Sequence, residues 1–178
     1  MTHYWTDARL AGQVVRWHTA PMARRETVGE HSWQVARLVL AFWPDAPRDL
    51  LVRALLHDVG EVASGDVPFP VKSSNPALGR EIERVEHSGH LAMCIPWGLP
   101  SMPQTETAWL SVLKLADLVD MWETAAQEAM MGSRFGRDII DRLAPAIQQR
   151  RLDLASTMPD VAMRVETYIN RRQLEWKL

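Results

Sequence analysis

The sequence predicts an all-α fold, a single compact bundle of about six or seven helices over residues 1–178. Apolar residues recur along most of the chain at the three- and four-residue spacing of amphipathic helices. Strand signals are weak, because no run alternates apolar and polar residues for more than about four positions. The chain has no internal repeat, and its length suits one domain with a substantial core.

Six segments carry the helical pattern, and their apolar positions lie in residues 35–42, 50–55, 82–85, 109–116, 139–147 and 161–169. The first is expected to end before Pro44, and the fifth to be kinked or divided at Pro145. Residues 17–29 and 64–76 are rich in turn-forming residues and are expected to be loops. Loops that hold specific charges are common places for function.

Composition excludes several classes of function. The formal net charge of -2 predicts no broad basic surface, so no polynucleotide partner is expected. Cys94 is the only cysteine, which predicts a reducing compartment, the cytoplasm of a cell or of a phage host. A secretory signal and a membrane span are not expected, since no apolar run is long enough. Most of the eight tryptophans are expected in the core, with some available to stack on a ring-shaped ligand.

A candidate metal site begins with His57 and Asp58, which follow an apolar helix. Neighbours on a helix project about 100° apart, so both can reach one ion. Imidazole and carboxylate together suit Zn, Co, Mn or Fe. Further ligands must come from elsewhere. His31 is a candidate because it lies at the start of an amphipathic helix directly after the first loop, and Asp117 is a candidate because apolar residues flank it. Alone, His31 could cap a helix and Asp117 could pair with Lys114, so the order of all four residues favours a site.

That order, His31, then His57-Asp58, then Asp117, resembles the H…HD…D signature of the HD-domain superfamily of metal-dependent phosphohydrolases. Over roughly residues 10–125 the local sequence is similar to one branch, the bacterial 5′-deoxynucleotidases of the YfbR type. The compact chain also resembles the phage dATP triphosphohydrolases that accompany 2-aminoadenine genomes. The segments that carry the likeness are Arg16-Trp17, Glu30-His31-Ser32, Leu56-His57-Asp58, Glu61-Val62, Gly65-Asp66-Val67-Pro68, Pro70-Val71-Lys72 and Lys114-Leu115-Ala116-Asp117.

The resemblance implies one divalent transition metal (Co, Mn, Zn or similar) on the four residues His31, His57, Asp58 and Asp117. It implies three catalytic residues. Glu61 would orient or deprotonate the attacking water, since it lies four residues after His57 and shares its face if the helix continues. Arg16 would bind the phosphate, and Asp66 would accept the 3′-hydroxyl of a deoxyribose. The ordinary alternatives are a solvated helix end for Glu61, a surface charge for Arg16 and a turn for Asp66.

Further substrate contacts follow from the resemblance. Arg16 and Asp66 would be joined by Trp17, Val67, Pro68, Phe69, Lys72 and Lys114. Trp17 would pack on the sugar or base, and the two lysines would either sit near phosphate or remain solvated. Phe69 and His18 replace a small polar residue and a proline of the family, so base preference and phosphate number stay open. Arg24 and Arg25, together with Lys72 and Lys114, could serve a longer phosphate chain. The ordinary alternative for Arg24 and Arg25 is a solvated loop pair.

The predicted function is therefore hydrolysis of the 5′ phosphate of 2′-deoxynucleotides by metal-activated water, with monophosphates as substrates. The alternative is release of triphosphate from dATP or another dNTP. More distant alternatives are a non-catalytic nucleotide-binding HD domain and a structural adaptor. A homodimer or higher homo-oligomer is expected, without a membrane partner. His87 and His90 could touch a second ion, but no third ligand is clearly placed with them, so one ion is predicted.

Overall fold

The computed structural model describes residues 7–99 and 107–177. Helices dominate these residues, as predicted, and the all-α fold class is confirmed. The α-helices are α1 (Ala8–Ala11), α2 (Val28–Phe42), α3 (Arg48–Leu56), α4 (Phe69–Ser74), α5 (Pro76–Cys94), α6 (Thr107–Met130), α7 (Arg134–Ala155) and α8 (Pro159–Trp176). A 3-10 helix spans Val59–Ala63, and the short strands β1 (Val15–Arg16) and β2 (Glu26–Thr27) pair antiparallel. None of the helices within these residues combines the length and the apolar character that a bilayer crossing requires.

Helix α2 begins at a capping box. The Thr27 hydroxyl accepts a hydrogen bond from the Glu30 amide at 3.3 Å, and the Glu30 carboxylate accepts one from the Thr27 amide at 2.9 Å. Reciprocal bonds of this kind satisfy amides that have no partner within the helix. The cap therefore fixes the first turn, where His31 lies. The helix ends at Phe42, before Pro44 as predicted.

The main core forms where α2, α3, α6, α7 and α8 pack together. Its members are buried apolar side chains, among them Val35, Leu38, Phe42, Leu50, Leu115, Val119, Trp122, Leu154 and Val165. Helix α7 approaches α6 closely at Gly136, where a Cβ atom would lie 2.6 Å from the Ala125 carbonyl oxygen. This packing makes α2 and α6 the rigid walls from which functional side chains project.

Some local expectations were wrong. The segment 64–76 is not all loop, because α4 forms within it; Pro70 is compatible with this helix since it lies in the first turn, where its missing amide costs nothing. Helices α1 and α4 bring the described helices to eight, against the six or seven expected. Helix α7 is not divided at Pro145, since buried residues on both sides of the proline, Gly136, Ile147 and Leu154, hold it together.

The tryptophan prediction holds for four of the seven described side chains, since Trp122 lies in the main core and Trp43, Trp109 and Trp176 pack against it. Trp122 alone among them is fully buried, while Trp33 and Trp97 are 58% and 57% exposed. The remaining described tryptophans, Trp17, Trp43, Trp109 and Trp176, are half-buried. Trp43 packs on Trp109 and Trp176 stacks on Trp122, so these rings close the margins of the core.

Candidate active site

The structure brings the four predicted metal ligands together at one point. His31 Nε2 lies 3.4 Å from Asp58 Oδ2 and 3.4 Å from Asp117 Oδ1. His57 Nε2 lies 3.3 Å from His31 Nε2 and 3.3 Å from Asp58 Oδ2. The ligands come from the first turn of α2, from the end of α3 and from the middle of α6. Their meeting therefore depends on the packing of the whole bundle.

Both imidazoles are oriented by the nitrogen that faces away from this cluster. His57 Nδ1 donates to the Ala54 carbonyl oxygen at 2.8 Å, one turn back along α3. His31 Nδ1 donates to Asp120 Oδ2 at 2.6 Å. A hydrogen bond at one ring nitrogen selects the tautomer whose other nitrogen is free to ligate. Each histidine thus presents an Nε2 lone pair to the same point.

The spacing of these atoms fits one divalent cation. In tetrahedral coordination with bond lengths of about 2.1 Å, neighbouring ligand atoms lie about 3.4 Å apart. The separations of 3.3–3.4 Å within the cluster match that spacing. His31, His57 and Asp58 form the tight part of the set, and Asp117 joins it through His31. Two imidazoles and two carboxylates are a donor set suited to zinc, cobalt or manganese.

The charge states of Asp58, Asp117 and His57 suit a bound cation, whereas a cation would have to displace a proton from His31, whose pKa in the metal-free protein is raised to about 9. Burial opposes ionisation of Asp58, but the nearby His57 and His31 outweigh it and hold the pKa of Asp58 well below its usual range. Lys114 does the same for the pKa of Asp117, against the effect of burial. Burial lowers the pKa of His57 and so favours its neutral form. Ionised carboxylates and neutral imidazoles are the forms that bind metal.

A second predicted metal position does not form at His87 and His90. Within the described residues, no group of three potential ligands includes either histidine. His90 instead lies 3.5 Å from the buried Cys94 thiol through its Nε2. One ion per chain therefore remains a prediction.

Glu61 lies in the 3-10 helix, not on a continuation of α3 as the spacing argument required. Its side chain is buried, which rules out the solvated helix end, and its Oε2 has no hydrogen-bond partner within the described residues. Burial raises the pKa of Glu61 to about 8, with a further contribution from the negative charges of Asp58 and Asp66. Glu61 is therefore a buried group that can exchange a proton near Asp58, and its Oε2 has no partner among the described residues.

Arg16 is buried on β1 and is not a surface charge. Its Nη1 lies 3.3 Å from Glu26 Oε2 and 4.0 Å from Asp120 Oδ2. Burial disfavours its charge, but Glu26, Asp58 and Asp117 outweigh that effect and raise the pKa of Arg16. Its Nε has no hydrogen-bond partner among the described residues. A buried donor thus remains free beside the ligand cluster.

Trp17 and Asp66 join the two loops that the sequence singled out. The Trp17 amide donates to Asp66 Oδ2 at 3.0 Å, and its indole Nε1 donates to Glu26 Oε2 at 3.0 Å. Trp17 has a φ of 59°, in the left-handed region that non-glycine residues rarely adopt. Backbone strain of this kind is found where surrounding contacts dictate the geometry. Here those contacts are the two carboxylates.

The remaining predicted substrate residues differ in their surroundings. Lys72 donates to Glu86 at 2.9 Å, and Lys114 pairs with Asp117 at 2.5 Å, so neither amino group is simply solvated. Val67 and Pro68 are half-buried, whereas Phe69 is 75% exposed. His18 and Arg25 are exposed. Arg24 pairs with Glu30 at 2.6 Å and lines a cavity of about 630 Å³ between α2 and α6.

Three carboxylates that the sequence reading missed support this site. Glu26 binds Arg16, Trp17 and Thr124, and Asp120 binds His31. Glu128 is almost fully buried and accepts hydrogen bonds from the Ala23 and Arg24 amides at 2.8 and 2.9 Å, which ties the loop to α6. A signal was available for Asp120, because it follows Asp117 by three residues and shares its helix face.

Two solved structures share this helical fold. The cyanophage S-2L HD phosphohydrolase DatZ, bound to dA and one catalytic Zn²⁺ ion, aligns with a TM-score of 0.72 over 98% of both chains at 16% identity. An HD-domain phosphohydrolase from Listeria innocua aligns with a TM-score of 0.64 over 93% of this chain and 97% of the other at 18% identity. At such identities the likeness concerns the fold alone.

A match to a family profile is more specific than a shared fold. A family profile described as "5'-deoxynucleotidase YfbR-like" matches residues 4–168, and the chain belongs to this YfbR-like family. The resemblance predicted from the sequence is therefore confirmed.

Three curated relatives illustrate the family. A 5'-deoxynucleotidase of Erwinia tasmaniensis is 27% identical over 168 residues, 84% of this chain and 85% of the relative. The 5'-deoxynucleotidase plu3092 of Photorhabdus laumondii is 34% identical over 96 residues, 48% of either chain. A dATP triphosphohydrolase of Salmonella phage PMBT28 is 34% identical over 107 residues, 51% of this chain and 55% of the relative. In the last two alignments the chain spans about half of the relative's length.

Proposed function

We propose that this chain is a metal-dependent phosphohydrolase that removes the 5′ phosphate from 2′-deoxynucleoside monophosphates. The observation that carries the proposal is a pair of unsatisfied buried groups, Arg16 Nε and Glu61 Oε2, beside four converging metal ligands. A buried polar group without a partner costs about 1–3 kcal/mol. A substrate phosphate would supply an acceptor for the arginine, and a water molecule would supply a donor for the glutamate.

The residues of the chain divide the chemistry among them. A divalent ion on His31, His57, Asp58 and Asp117 would acidify a water molecule and polarise a phosphoryl oxygen. Glu61 orients the attacking water and accepts its proton, a role that suits a carboxylate whose pKa is raised toward neutrality. Arg16 stabilises the negative charge of the phosphoryl group as the bond to the 5′ oxygen breaks.

Recognition of the sugar is assigned to the pair of Trp17 and Asp66, and close packing around C2′ would exclude ribonucleotides. The hydrogen bond from the Trp17 amide to Asp66 Oδ2 holds the two residues next to each other. Asp66 would accept the 3′-hydroxyl of the sugar, and Trp17 would pack on the sugar or base. This assignment follows the resemblance to the deoxynucleotidases, with Val67, Pro68 and Phe69 as the adjoining wall. The homo-oligomer and the cytoplasmic location remain predictions from sequence.

A second candidate function is release of triphosphate from dATP, favoured by the likeness to the phage dATP triphosphohydrolase. The ion pairs of the structure argue against it. Arg24 is neutralised by Glu30 and Lys72 by Glu86, so cations proposed for a longer phosphate chain already have partners. We therefore rank the monophosphate first.

The test is a product analysis of the purified protein with dAMP, dATP, AMP and ATP, each in the presence of Mn²⁺, Co²⁺ or Zn²⁺. Ion-exchange chromatography separates inorganic phosphate from triphosphate. We expect phosphate release from dAMP and at least about tenfold slower release from AMP, since a buried polar site discriminates by about 1.4 kcal/mol for each factor of ten. Triphosphate released from dATP would instead support the second candidate. No hydrolysis of any nucleotide with any of the ions would make the chain a binding domain or an adaptor.

A further inference from the structure

We infer that Asp120 is a positioning residue of the site, which orients His31 toward the metal and holds Arg16 beside it. This inference rests on the proposed function. It concerns a residue outside the four ligands and outside the groups assigned to substrate.

Asp120 makes one short hydrogen bond, to His31, and one longer ion pair, with Arg16. Its Oδ2 lies 2.6 Å from His31 Nδ1 and 4.0 Å from Arg16 Nη1, and its side chain is 3% exposed. A charged hydrogen bond at this distance, shielded from water, is stronger than a neutral one and more demanding in geometry. One buried carboxylate oxygen therefore serves a metal ligand and a phosphate-binding group at once.

The bond to His31 determines which nitrogen faces the cluster. With the proton on Nδ1 shared with Asp120, the lone pair of Nε2 points toward Asp58 and Asp117, each 3.4 Å away. Without the carboxylate, the ring is free to rotate or to place its proton on Nε2, and either change removes a ligand. Carboxylates behind ligating histidines raise their basicity as well as fixing their orientation.

Helix α6 holds this ring from both sides. Asp117 and Asp120 are three residues apart, so they project from one face of α6, one turn from each other. Asp117 faces Nε2 of His31 and Asp120 faces Nδ1. The imidazole from α2 is thus placed between a ligand and an orienting group that belong to a single rigid element.

Asp120 is not itself a metal ligand in this arrangement. By spacing alone, Glu26, His31 and Asp120 form a second group that could hold an ion. The guanidinium of Arg16 supplies the positive charge there, 3.3 Å from Glu26 and 4.0 Å from Asp120. A cation would have to displace a buried arginine. Asp120 therefore acts through His31 and Arg16.

The test compares Asp120→Asn with Glu123→Gln. Glu123 is the matched control, because it is an equally buried carboxylate one turn further along α6, and its partners are Arg37, Tyr168 and Arg172 instead of the site. Full-length proteins are stripped of metal and titrated with Co²⁺, whose visible absorption reports both the affinity and the ligand geometry. Circular dichroism of each variant verifies the fold.

We expect Asp120→Asn to weaken Co²⁺ binding at least about tenfold and to change the absorption bands, as loss of an outer partner does in metal sites. Glu123→Gln should bind Co²⁺ within about twofold of the wild type, because a buried carboxylate away from the ligands does not orient them. An Asp120→Asn protein that also binds within about twofold, with unchanged bands, would overturn the inference. A wild-type protein that binds no Co²⁺ would instead overturn the proposed function, so the two failures are distinguishable.

A second measurement needs no variant and covers the case in which Asp120→Asn does not fold. Long-range ¹H–¹⁵N spectra of the wild-type protein loaded with Zn²⁺ should show His31 protonated at Nδ1. A proton on Nε2 of His31 would overturn the inference.

Discussion

Neighbouring residues of this site hold opposite charge states because their partners differ. Asp58 and Glu61 are three positions apart, and both are removed from water. His57 and His31 favour the ionised form of Asp58, whereas Glu61 faces mainly the negative charges of Asp58 and Asp66. Pairs of acids whose pKa values are pushed apart are typical of catalytic sites, where one group binds and the other exchanges a proton.

These shifts predict how the stability of the metal-free protein depends on pH. The pKa of Glu61 is raised from 4.5 to about 8. The contribution of protonated Glu61 to the stability of the fold is therefore complete below pH 4.5 and is lost as the pH rises toward 8. The pKa of His31 is raised from 6.5 to about 9, because hydrogen bonds to Asp120 and Asp58 outweigh burial and Arg16. The stability that His31 contributes is lost as the pH rises from 6.5 to about 9. Metal-free protein should therefore become less stable between about pH 6.5 and pH 8.

The variant Glu61→Gln tests this dependence. Glutamine cannot ionise, so the loss of stability over the same pH range should be smaller, with only the part from His31 remaining. Thermal unfolding in a chelator at several pH values measures it, at about 2–4 °C for each kcal/mol in a domain of this size. Parallel curves for the wild type and the variant would show that Glu61 has an ordinary pKa.

Residue identities were predictable from sequence where they are chemically conspicuous. The sequence predicts the four metal ligands because their side chains are of ligand types and because their order along the chain resembles that of the HD-domain superfamily. Glu26 and Glu128 could not be predicted, because a buried carboxylate is justified by partners that only packing supplies. The roles of Lys72 and Lys114 stayed open for the same reason, since their partners Glu86 and Asp117 are chosen by geometry.

At the scale of elements, the 3-10 helix is docked on α5 through glycines. A Cβ atom at Gly60 would lie 2.0 Å from the Glu86 carbonyl oxygen, and one at Gly89 would lie 2.7 Å from the Gly60 carbonyl oxygen. Side chains at either position would force the two backbones apart. The close approach keeps Glu61, the next residue after Gly60, directed toward the ligand cluster.

Gly60→Ala should therefore damage both stability and activity. We expect a loss of about 1–3 kcal/mol, the usual cost of overpacking, and a clear fall in phosphate release because Glu61 moves with the segment. Chemical denaturation and the phosphate assay measure the two effects. Gly12→Ala is the matched control, since the nearest atom to its Cβ is 3.7 Å away and the change should lie within about 0.5 kcal/mol. Equal stability of the two variants would contradict the docking role of Gly60.

Long elements were predictable and short ones were not. The periodic apolar patterns of α2, α6 and α8 are strong because each of these helices buries a stripe against the main core. Helix α4 has no buried residue, so its sequence carries no periodic signal and its prolines suggested a loop. The continuity of α7 through Pro145 depends on packing to both sides, which no local pattern reveals.

At the scale of the whole molecule, the site and the fold are one assembly. The four ligands are contributed by α2, by α6 and by the segment that follows α3. Helices α2 and α6 also form part of the main core. A cation that binds only the folded chain stabilises it by about 2.7 kcal/mol at a concentration one hundredfold above its Kd. Metal binding and folding should therefore be coupled in this protein.

The class and family could be predicted from sequence because the ligand order and the segments around it are shared. The number of phosphates could not, because it depends on which cations remain unpaired once the loops are folded. Arg24 and Lys72 are equal candidates in sequence, and only the structure pairs them with Glu30 and Glu86.

The most direct test is the number of Zn²⁺ ions that remain bound per chain after dialysis, measured by atomic emission for the wild type and for Asp58→Ala. We expect about one ion per wild-type chain, since the four ligands surround one position, and a clearly smaller fraction in the variant, because Asp58 lies 3.4 Å from His31 Nε2 and 3.3 Å from His57 Nε2. The helical content by circular dichroism should be nearly unchanged. An Asp58→Ala protein that keeps one ion per chain and still releases phosphate would contradict the proposed metal site.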